Sequence, residues 1–279
     1  MSTTIEKPVV IGAVLYEPKV SIIWDIIREF FEEQGFPINV IYYTNYEMQV
    51  DALVEGSIDM AWNSPLAWID SQRRLNNNCR ALAMRDTDRD RVSYFVVPDN
   101  SDIETIEDLS GKSIAVGAKD SPQATLIPFG HLSDHGLEPY EDVDVTRFDV
   151  LVGKHGDHIG GELDAFEALE DGEVDASVML DLNWDTWTED GTIDPDRYRI
   201  LDKTPVFDHC NFTVRDDFPR DLEKEWSDVL FCMDYSNPDH REMMDMEGLK
   251  EWKKGRTTGY QPLQQAVEEF NFFEREYSS

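Results

Sequence analysis

Apolar and polar positions alternate along the first sixty residues in blocks that predict strands and helices in turn. Residues 9–14 form a short apolar run ending in small residues, which is typical of a buried parallel strand. Over 22–31 apolar residues recur at helical spacing opposite charged ones. A strand over 38–43, a helix over 46–55 and a strand over 58–62 follow. This order predicts an α/β fold built on a parallel sheet.

A sequence pattern that occurs twice indicates a second unit of the same kind. ALVEGSID at 52–59 and ALEDGEVD at 168–175 each contain a helix end, a glycine and an aspartate that opens a short apolar strand. The separation is far longer than a solenoid repeat, so it predicts two similar α/β lobes.

The remaining pattern predicts how the chain is divided between these lobes. The second lobe is expected to hold strands over 113–116, 143–148 and 176–179 and helices near 123–135 and 161–171. A strand over 93–97 leaves the first lobe and one near 207–214 returns to it, followed by helices over 221–233, 238–246 and 262–273 that wrap the first lobe. We therefore predict a first lobe of 1–97 and 208–279, a second of 98–207, and a hinge of two crossover strands.

The charge excludes two classes of partner. With 25 basic and 58 acidic residues the formal net charge is −33, and no basic run is present to bind nucleic acid or an anionic membrane. The acids are spread along the whole chain, which resembles proteins of organisms that keep molar salt in the cytoplasm. Binding of many divalent cations is the alternative, but no carboxylate spacing matches a calcium loop.

The termini and cysteines suggest a compartment. Three cysteines, far apart and odd in number, indicate neither a disulfide framework nor a zinc pair. The sequence as written starts without a signal peptide and holds no run of about 20 apolar residues. We expect a soluble cytoplasmic protein without membrane insertion, extracytoplasmic only if a leader has been removed.

Five segments in a fixed order resemble a known family. They are GAVLY at 12–16, GSIDMAWNSPLA at 56–67, DLSGK at 108–112, KDSPQA at 119–124 with Pro128 following, and GEVDA at 172–176. Together they resemble the phosphate/phosphite/phosphonate-type substrate-binding proteins of ABC transporters over about residues 8 to 215. The resemblance implies the two-lobed α/β fold of type 2 periplasmic binding proteins, with a ligand clamped between the lobes by loops at the carboxyl ends of strands. It also implies an ABC permease as partner, whose identity is unknown.

The family grips its oxyanion with hydroxyls and backbone amides at a helix N-terminus, which the resemblance assigns here to the segment from Ser121. The serine is present, but Pro122 and Gln123 replace the neighbouring hydroxyls. The family also places a histidine in the second lobe, and His155 is the counterpart that the resemblance implies.

In the first lobe, candidate ligand contacts follow successive strands. Tyr16 follows the first strand, Asn45 the second, and Asn63 with Ser64 the third, so all are expected at one edge of the sheet. The alternatives are turn residues for Tyr16 and Asn45 and a helix N-cap for Asn63. Asn211, on the return strand, is expected to face the same cleft.

In the second lobe the candidates are Ser121, Gln123, Lys154, His155 and Asp181. Ser121 is also a good N-cap before a proline. Lys154 and His155 suit an anion, and Asp181 suits an amine or hydroxyl of the ligand. The glycine-flanked loop 153–158 has two alternatives, a solvated loop and a metal site made by His155 with Asp157 and His158. We predict no metal and no cofactor.

Two functions fit these residues. The first is a non-catalytic binding or sensing protein for a small polar, oxyanion-bearing solute. The second, motivated by the absence of an export signal, is a cytoplasmic biosynthetic enzyme on the same fold acting on a small carboxylate or cofactor precursor. Some relatives of this fold are chorismate-dehydrating and thiamine-pyrimidine enzymes. The absence of a convincing nucleophile or acid–base pair favours binding over catalysis.

Overall fold

A computed structural model describes residues 7–156 and 161–276. The chain forms two compact units, the first made of residues up to Arg89 with Asp208–Thr258, the second of Asp90–Phe207 with residues from Gly259 on. The chain thus passes between the units three times, rather than the two times that we predicted. The predicted boundaries are wrong at two places, since the strand over 93–97 and the segment after 258 belong to the second unit.

Strands and helices alternate over most of the chain. The strands are β1 Val9–Val14, β2 Ile38–Tyr43, β3 Met60–Asn63, β4 Cys79–Arg85, β5 Ser93–Pro98, β6 Ser113–Val116, β7 Asp144–Arg147, β8 Ala176–Leu180, β9 Tyr198–Lys203, β10 Asn211–Arg215 and β11 Trp252–Lys254. The helices are α1 Lys19–Glu33, α2 Tyr46–Glu55, α3 Pro65–Arg74, α4 Ile127–Asp134, α5 Glu162–Glu170, α6 Asp181–Glu189, α7 Arg220–Leu230, α8 Pro238–Met246, α9 Gln261–Glu269 and α10 Phe272–Glu276.

Each unit is built on one sheet, and the two sheets share a pattern. The first has the order β11-β4-β10-β3-β1-β2 and the second β7-β6-β8-β5-β9. In the first, β1 is parallel to β2 and β3, and β10 is antiparallel to β3 and β4. In the second, β6 is parallel to β7 and β8, and β5 is antiparallel to β8 and β9. The mixed α/β fold with two similar units that the repeated sequence pattern predicts is confirmed.

The two aspartates of the repeated pattern make equivalent hydrogen bonds in the two sheets. Asp59 Oδ2 accepts a hydrogen bond from Val10 N at 2.8 Å, and Asp175 Oδ2 accepts one from Ser113 N at 2.8 Å. Each carboxylate therefore satisfies a backbone N–H at the start of the neighbouring parallel strand. Gly56 has φ +78° and ends the helix before the first aspartate, a conformation that favours glycine.

Each unit has its own apolar core. In the first, the buried face of α1 packs with the aromatic rings of Phe212, Trp226 and Trp252. In the second, Phe95, Ile114 and Val178 of the sheet pack against Leu132 of α4. Among the helices of the described residues, none is both long and apolar enough to cross a membrane.

The last predicted helix packs on a different unit from the one we expected. α7 and α8 pack on the first core, as predicted, but α9 packs against α4 of the second unit. A Cβ placed on Gly130 of α4 would lie 3.2 Å from the Cβ of Ala266 of α9, and Phe129 meets Phe270 edge to face at 6.1 Å. Two small residues allow this close approach. The apolar face of α9 was evident in the sequence, but the surface that covers it was not.

Candidate functional site

In the first unit the sheet topology brings the predicted residues to one edge. The parallel strands β1, β2 and β3 end at the same side of the sheet. This edge therefore carries four of the predicted residues, which are Tyr16, Asn45, Asn63 and Ser64. β10 runs the opposite way, and its first residue, Asn211, pairs with Asn63. The carboxyl ends of parallel strands are where open α/β sheets bind ligands.

Asn63 lies at the centre of a buried polar network at this edge. Its Nδ2 donates to Ser71 Oγ at 3.1 Å and to Thr213 Oγ1 at 3.0 Å, and its Oδ1 accepts from Gln49 Nε2 at 2.9 Å. Thr213 in turn donates to Asn211 Oδ1 at 2.7 Å. Both amide hydrogens of Asn63 are therefore used within the protein. Its predicted role as a ligand contact stays a prediction, with at most its oxygen available.

The helix caps at this edge differ from the expected ones. Ser64, rather than Asn63, is the N-cap of α3, and its hydroxyl accepts from Ala67 N at 3.1 Å. Asn45 caps α2 and accepts from Met48 N at 2.8 Å. Tyr16 is half-buried against the first core. Asn45 is thus a helix N-cap rather than the turn residue that was its alternative, and the cap expected of Asn63 is made by Ser64.

Replacing Asn63 by alanine is expected to lower the free energy of unfolding by about 2–3 kcal/mol. The change removes one hydrogen bond each from Gln49, Ser71 and Thr213, in a region that is closed to water. Chemical denaturation would measure the loss. Asn78→Ala, at an exposed loop asparagine whose side chain donates to Leu75 O, is the control and should cost less than about 0.5 kcal/mol. Equal losses in the two variants would contradict the structural role.

In the second unit a helix begins at the carboxyl end of β6. Ser121 is fully buried and caps this helix, its hydroxyl accepting from Ala124 N at 3.1 Å. Pro122–Leu126 forms a π-helical turn that continues into α4. A hydroxyl that accepts from an amide can still donate its own hydrogen. Ser121 therefore combines a cap with the chemistry that an oxyanion requires.

Glu162 was not among the predicted site residues, yet it organises this edge. The side chain is fully buried and accepts from Leu180 N at 2.8 Å, Asn183 Nδ2 at 2.7 Å and Gln123 Nε2 at 3.1 Å. Burial raises its pKa to about 7, against these hydrogen bonds, which lower it. The backbone carbonyl of Gln123 also accepts from Ser93 Oγ at 2.6 Å. Little in the sequence pointed to Glu162, because acidic residues occur throughout this chain.

Asp120 ties the loop after β6 to the loop that contains His155. Its Oδ2 accepts from Gly153 N at 2.6 Å, and the backbone N–H of His155 is also bonded to the carboxylate. Burial raises the pKa of Asp120 to about 6 and lowers that of His155 to about 3. The imidazole of His155 is therefore neutral near pH 7, and its contact with an anion stays a prediction that would need a ring N–H as donor. Asp157 and His158, the other members of the metal alternative, lie outside the described residues.

Asp181 begins α6, directly after β8. One oxygen accepts from Leu182 N at 2.9 Å, and the other lies 3.6 Å from Arg91 Nη1. Burial raises its pKa, and Arg91 opposes this effect. Lys154 is half-buried in the loop that Asp120 holds. The carboxyl ends of β6 and β8, which are parallel neighbours, thus bring Ser121 and Asp181 to one edge.

Three buried oxygens around the helix start have no hydrogen-bond partner among the described residues. They are Asp120 Oδ1, Gln123 Oε1 and Thr125 Oγ1. Buried polar atoms without a partner are uncommon in native proteins, because each costs desolvation free energy. Asp120, Gln123 and Thr125 are close in sequence at the start of this helix, so their oxygens are candidates for bonds to a ligand or to ordered water.

Comparisons with known proteins identify the family. The family model for the phosphonate periplasmic substrate-binding proteins of ABC transporters matches residues 14–260. A probable phosphite-binding protein of an ABC transporter from Prochlorococcus marinus is 21% identical over 257 residues, 88% of this chain and 82% of the relative. The structure of PhnD1 from that organism, in complex with methylphosphonate, has a TM-score of 0.71 at 18% identity and covers 95% of this chain and 98% of its own. XAC2383 from Xanthomonas citri, bound to ATP, has a TM-score of 0.70 at 17% identity and covers 93% of this chain and 95% of its own.

These matches settle several expectations. The predicted type 2 periplasmic-binding-protein fold is confirmed. The predicted cytoplasmic location is wrong, because the matching family consists of periplasmic proteins. Adaptation to high salt stays a prediction. The chain belongs to the family of phosphonate-type periplasmic substrate-binding proteins of ABC transporters.

Proposed function

We propose that this protein binds a small polar solute that bears an oxyanion and delivers it to an ABC permease. The proposal rests on the family to which the chain belongs and on the buried oxygens without partners around the start of the helix at Ser121. An enzymatic role had its motivation in a cytoplasmic location, which the family contradicts, so we do not propose one.

The oxyanion is assigned to the helix that begins at Ser121. The partial positive charge at a helix N-terminus favours an anion, and the Ser121 hydroxyl adds a donor. Because this helix continues from the π-helical turn through α4, the dipole belongs to a helix of several turns. This arrangement supports binding of a phosphonate-like or sulfonate-like group.

The part of the ligand outside the oxyanion is expected to carry hydrogen-bond donors. Asp120 Oδ1 and Gln123 Oε1 have no donor within the described residues, and the Asp181 carboxylate lies at the same edge. Each of these oxygens is an acceptor when the carboxylates are ionised. An amine, a hydroxyl or a protonated oxyanion would satisfy them, so a fully deprotonated anion without donors fits less well.

The test is a titration of methylphosphonate, phosphite, inorganic phosphate, sulfonates and small carboxylates by calorimetry in molar KCl. We expect at least one of these compounds to bind with a stoichiometry of one per chain. Ser121→Ala should weaken the affinity for that compound by roughly tenfold, which corresponds to the loss of one hydrogen bond to an anion. Asn237→Ala removes another N-cap that precedes a proline and serves as the control.

Both substitutions should cost about 1 kcal/mol of stability, because each removes a cap. Only Ser121→Ala should change the affinity. Equal affinities in the two variants would remove Ser121 from the site, and no binding of any member of the panel would contradict the proposed function.

A further inference from the structure

A second cluster of ligating side chains lies in the second unit, on α4 and β9. His131 of α4 and His135, the C-cap residue that follows this helix, are one turn apart, with ring centroids 4.5 Å apart. His131 Nε2 is 2.9 Å from Asp202 Oδ2 of β9. One ring nitrogen of each histidine and one oxygen of Asp202 lie within 4.8 Å of one another.

We propose that His131, His135 and Asp202 form a binding site for a divalent transition-metal ion of the zinc class. Two imidazoles and one carboxylate are a ligand set that zinc accepts, with bonds of about 2.0–2.2 Å and a fourth position for water. With bonds of this length, neighbouring ligand atoms of a tetrahedral site lie about 3.4 Å apart. The His131 Nε2–Asp202 Oδ2 pair would therefore open slightly from 2.9 Å, and any pair near the 4.8 Å limit would close. The ion would join β9, an edge strand of its sheet, to α4.

The hydrogen bonds around the histidines suit metal binding. His135 Nδ1 lies 2.9 Å from the carbonyl oxygen of His131, and a carbonyl can only accept. Nδ1 therefore carries the hydrogen, and the lone pair of His135 is on Nε2. Metal-binding histidines commonly donate their other ring N–H to a backbone carbonyl in this way, which fixes the tautomer. At His131, the metal would take the place of the proton that Nε2 shares with Asp202.

An adjacent cavity gives the ion a route. It has a volume of about 360 Å³, and its lining includes His131 together with Asp134, Gln265 and Glu269. The two carboxylates attract a cation, while His131 itself is 8% exposed. A site with one buried and two half-buried ligands beside an acidic cavity keeps a metal partly desolvated, which strengthens its bonds to imidazole.

A second cluster of this type among the described residues, made of Asp88, His209 and Cys210, is less suited to a metal. Both oxygens of Asp88 bond to the guanidinium of Arg85, at 2.7 and 2.9 Å. A metal there would have to displace a buried cation.

The experiment is equilibrium dialysis against Zn²⁺ with a large excess of Mg²⁺, which occupies the surface carboxylates of this acidic chain. We expect one tightly bound zinc per chain in wild type. His135→Ala and Asp202→Asn should each weaken zinc binding by roughly a hundredfold or more, since changes even outside the ligand set cost 10–100-fold. His240→Ala, which removes a histidine of α8, is the control and should bind zinc as wild type does.

Cobalt supplies a readout that a structural role would not change. Co²⁺ bound by these ligands should give the intense visible absorption of a tetrahedral site in wild type and lose it in His135→Ala. Thermal unfolding of the metal-free variants checks that they fold. No stoichiometric zinc under excess Mg²⁺, or equal affinity in folded His135→Ala and wild type, would overturn the proposal. None of these outcomes depends on whether the protein binds an oxyanion.

Discussion

Glu162→Gln is expected to raise the free energy of unfolding above pH ~8 by about 3 kcal/mol and to remove a pH dependence present in wild type. The pKa of Glu162 is raised from 4.5 to about 7 by burial. The folded state therefore keeps a proton that the unfolded state releases. The stability from this group is fully present below about pH 4.5 and is lost as the pH rises to about 7. Glutamine stays neutral at every pH, so the variant does not lose this stability as the pH rises.

The Glu162→Gln substitution can keep the hydrogen bond between residues 162 and 123. Gln123 Nε2 now donates to Glu162 Oε1, while Gln123 Oε1 has no partner. A rotation of the Gln123 amide would let its oxygen accept from the amide nitrogen that the substitution introduces. The oxygen that the substituted side chain retains would keep accepting from Leu180 N and Asn183. The same rotation serves protonated Glu162 in wild type, which must also donate.

Urea denaturation across pH 5 to 9 would measure the effect. Glu167→Gln on the exposed face of the same helix is the matched control and should follow the wild-type slope. Glu162→Ala should instead destabilise at every pH, by about 3 kcal/mol or more, because three buried donors lose their acceptor. A wild-type pH slope in Glu162→Gln would contradict the assigned pKa.

The sequence specified the first sheet better than the assembly of each unit. β1, β2 and α2 have the predicted bounds because the apolar runs and their flanking polar residues are local signals. β5 was assigned to the wrong unit, since its apolar run does not tell which neighbours it pairs with. In the structure it pairs with β8 and β9, so its place depends on contacts distant in sequence.

In the candidate site, too, local sequence signals predicted some residues, whereas others depend on contacts distant in sequence. Strand ends placed Ser121 and Asp181 at one edge correctly, because the carboxyl ends of parallel neighbours coincide. Glu162, His135 and Asp202 were not selected from the sequence. Their proposed roles depend on neighbours that are distant in sequence and come close only in the folded protein. His131 and Asp202, for example, are 71 residues apart. Spacing along one helix is visible in a sequence, whereas the third ligand on a strand is not.

A buried charge network in the first unit carries the other large effect. Arg85, whose side chain is 5% exposed, donates to Asp88 and, at 2.7 Å, to Glu247 Oε2. Its guanidinium also lies 5.3 Å from the centroid of the Trp62 ring. Asp88 Oδ1 accepts in addition from Cys210 N at 3.2 Å. The network thus joins the segment that leaves the first unit to the segment that returns to it.

Arg85→Ala is expected to lower the free energy of unfolding by about 3–5 kcal/mol, because it leaves two carboxylates buried without their cation. Denaturation with urea at constant salt would measure the loss. Arg28→Ala is the control, since Arg28 is 38% exposed and lies 3.6–3.9 Å from its carboxylates, and exposed pairs contribute about 0–1 kcal/mol. Adding Asp88→Asn to Arg85→Ala should recover part of the loss, since it removes one of the two unpaired charges. A loss in Arg85→Ala no larger than in Arg28→Ala would mean that water reaches these carboxylates when the arginine is gone.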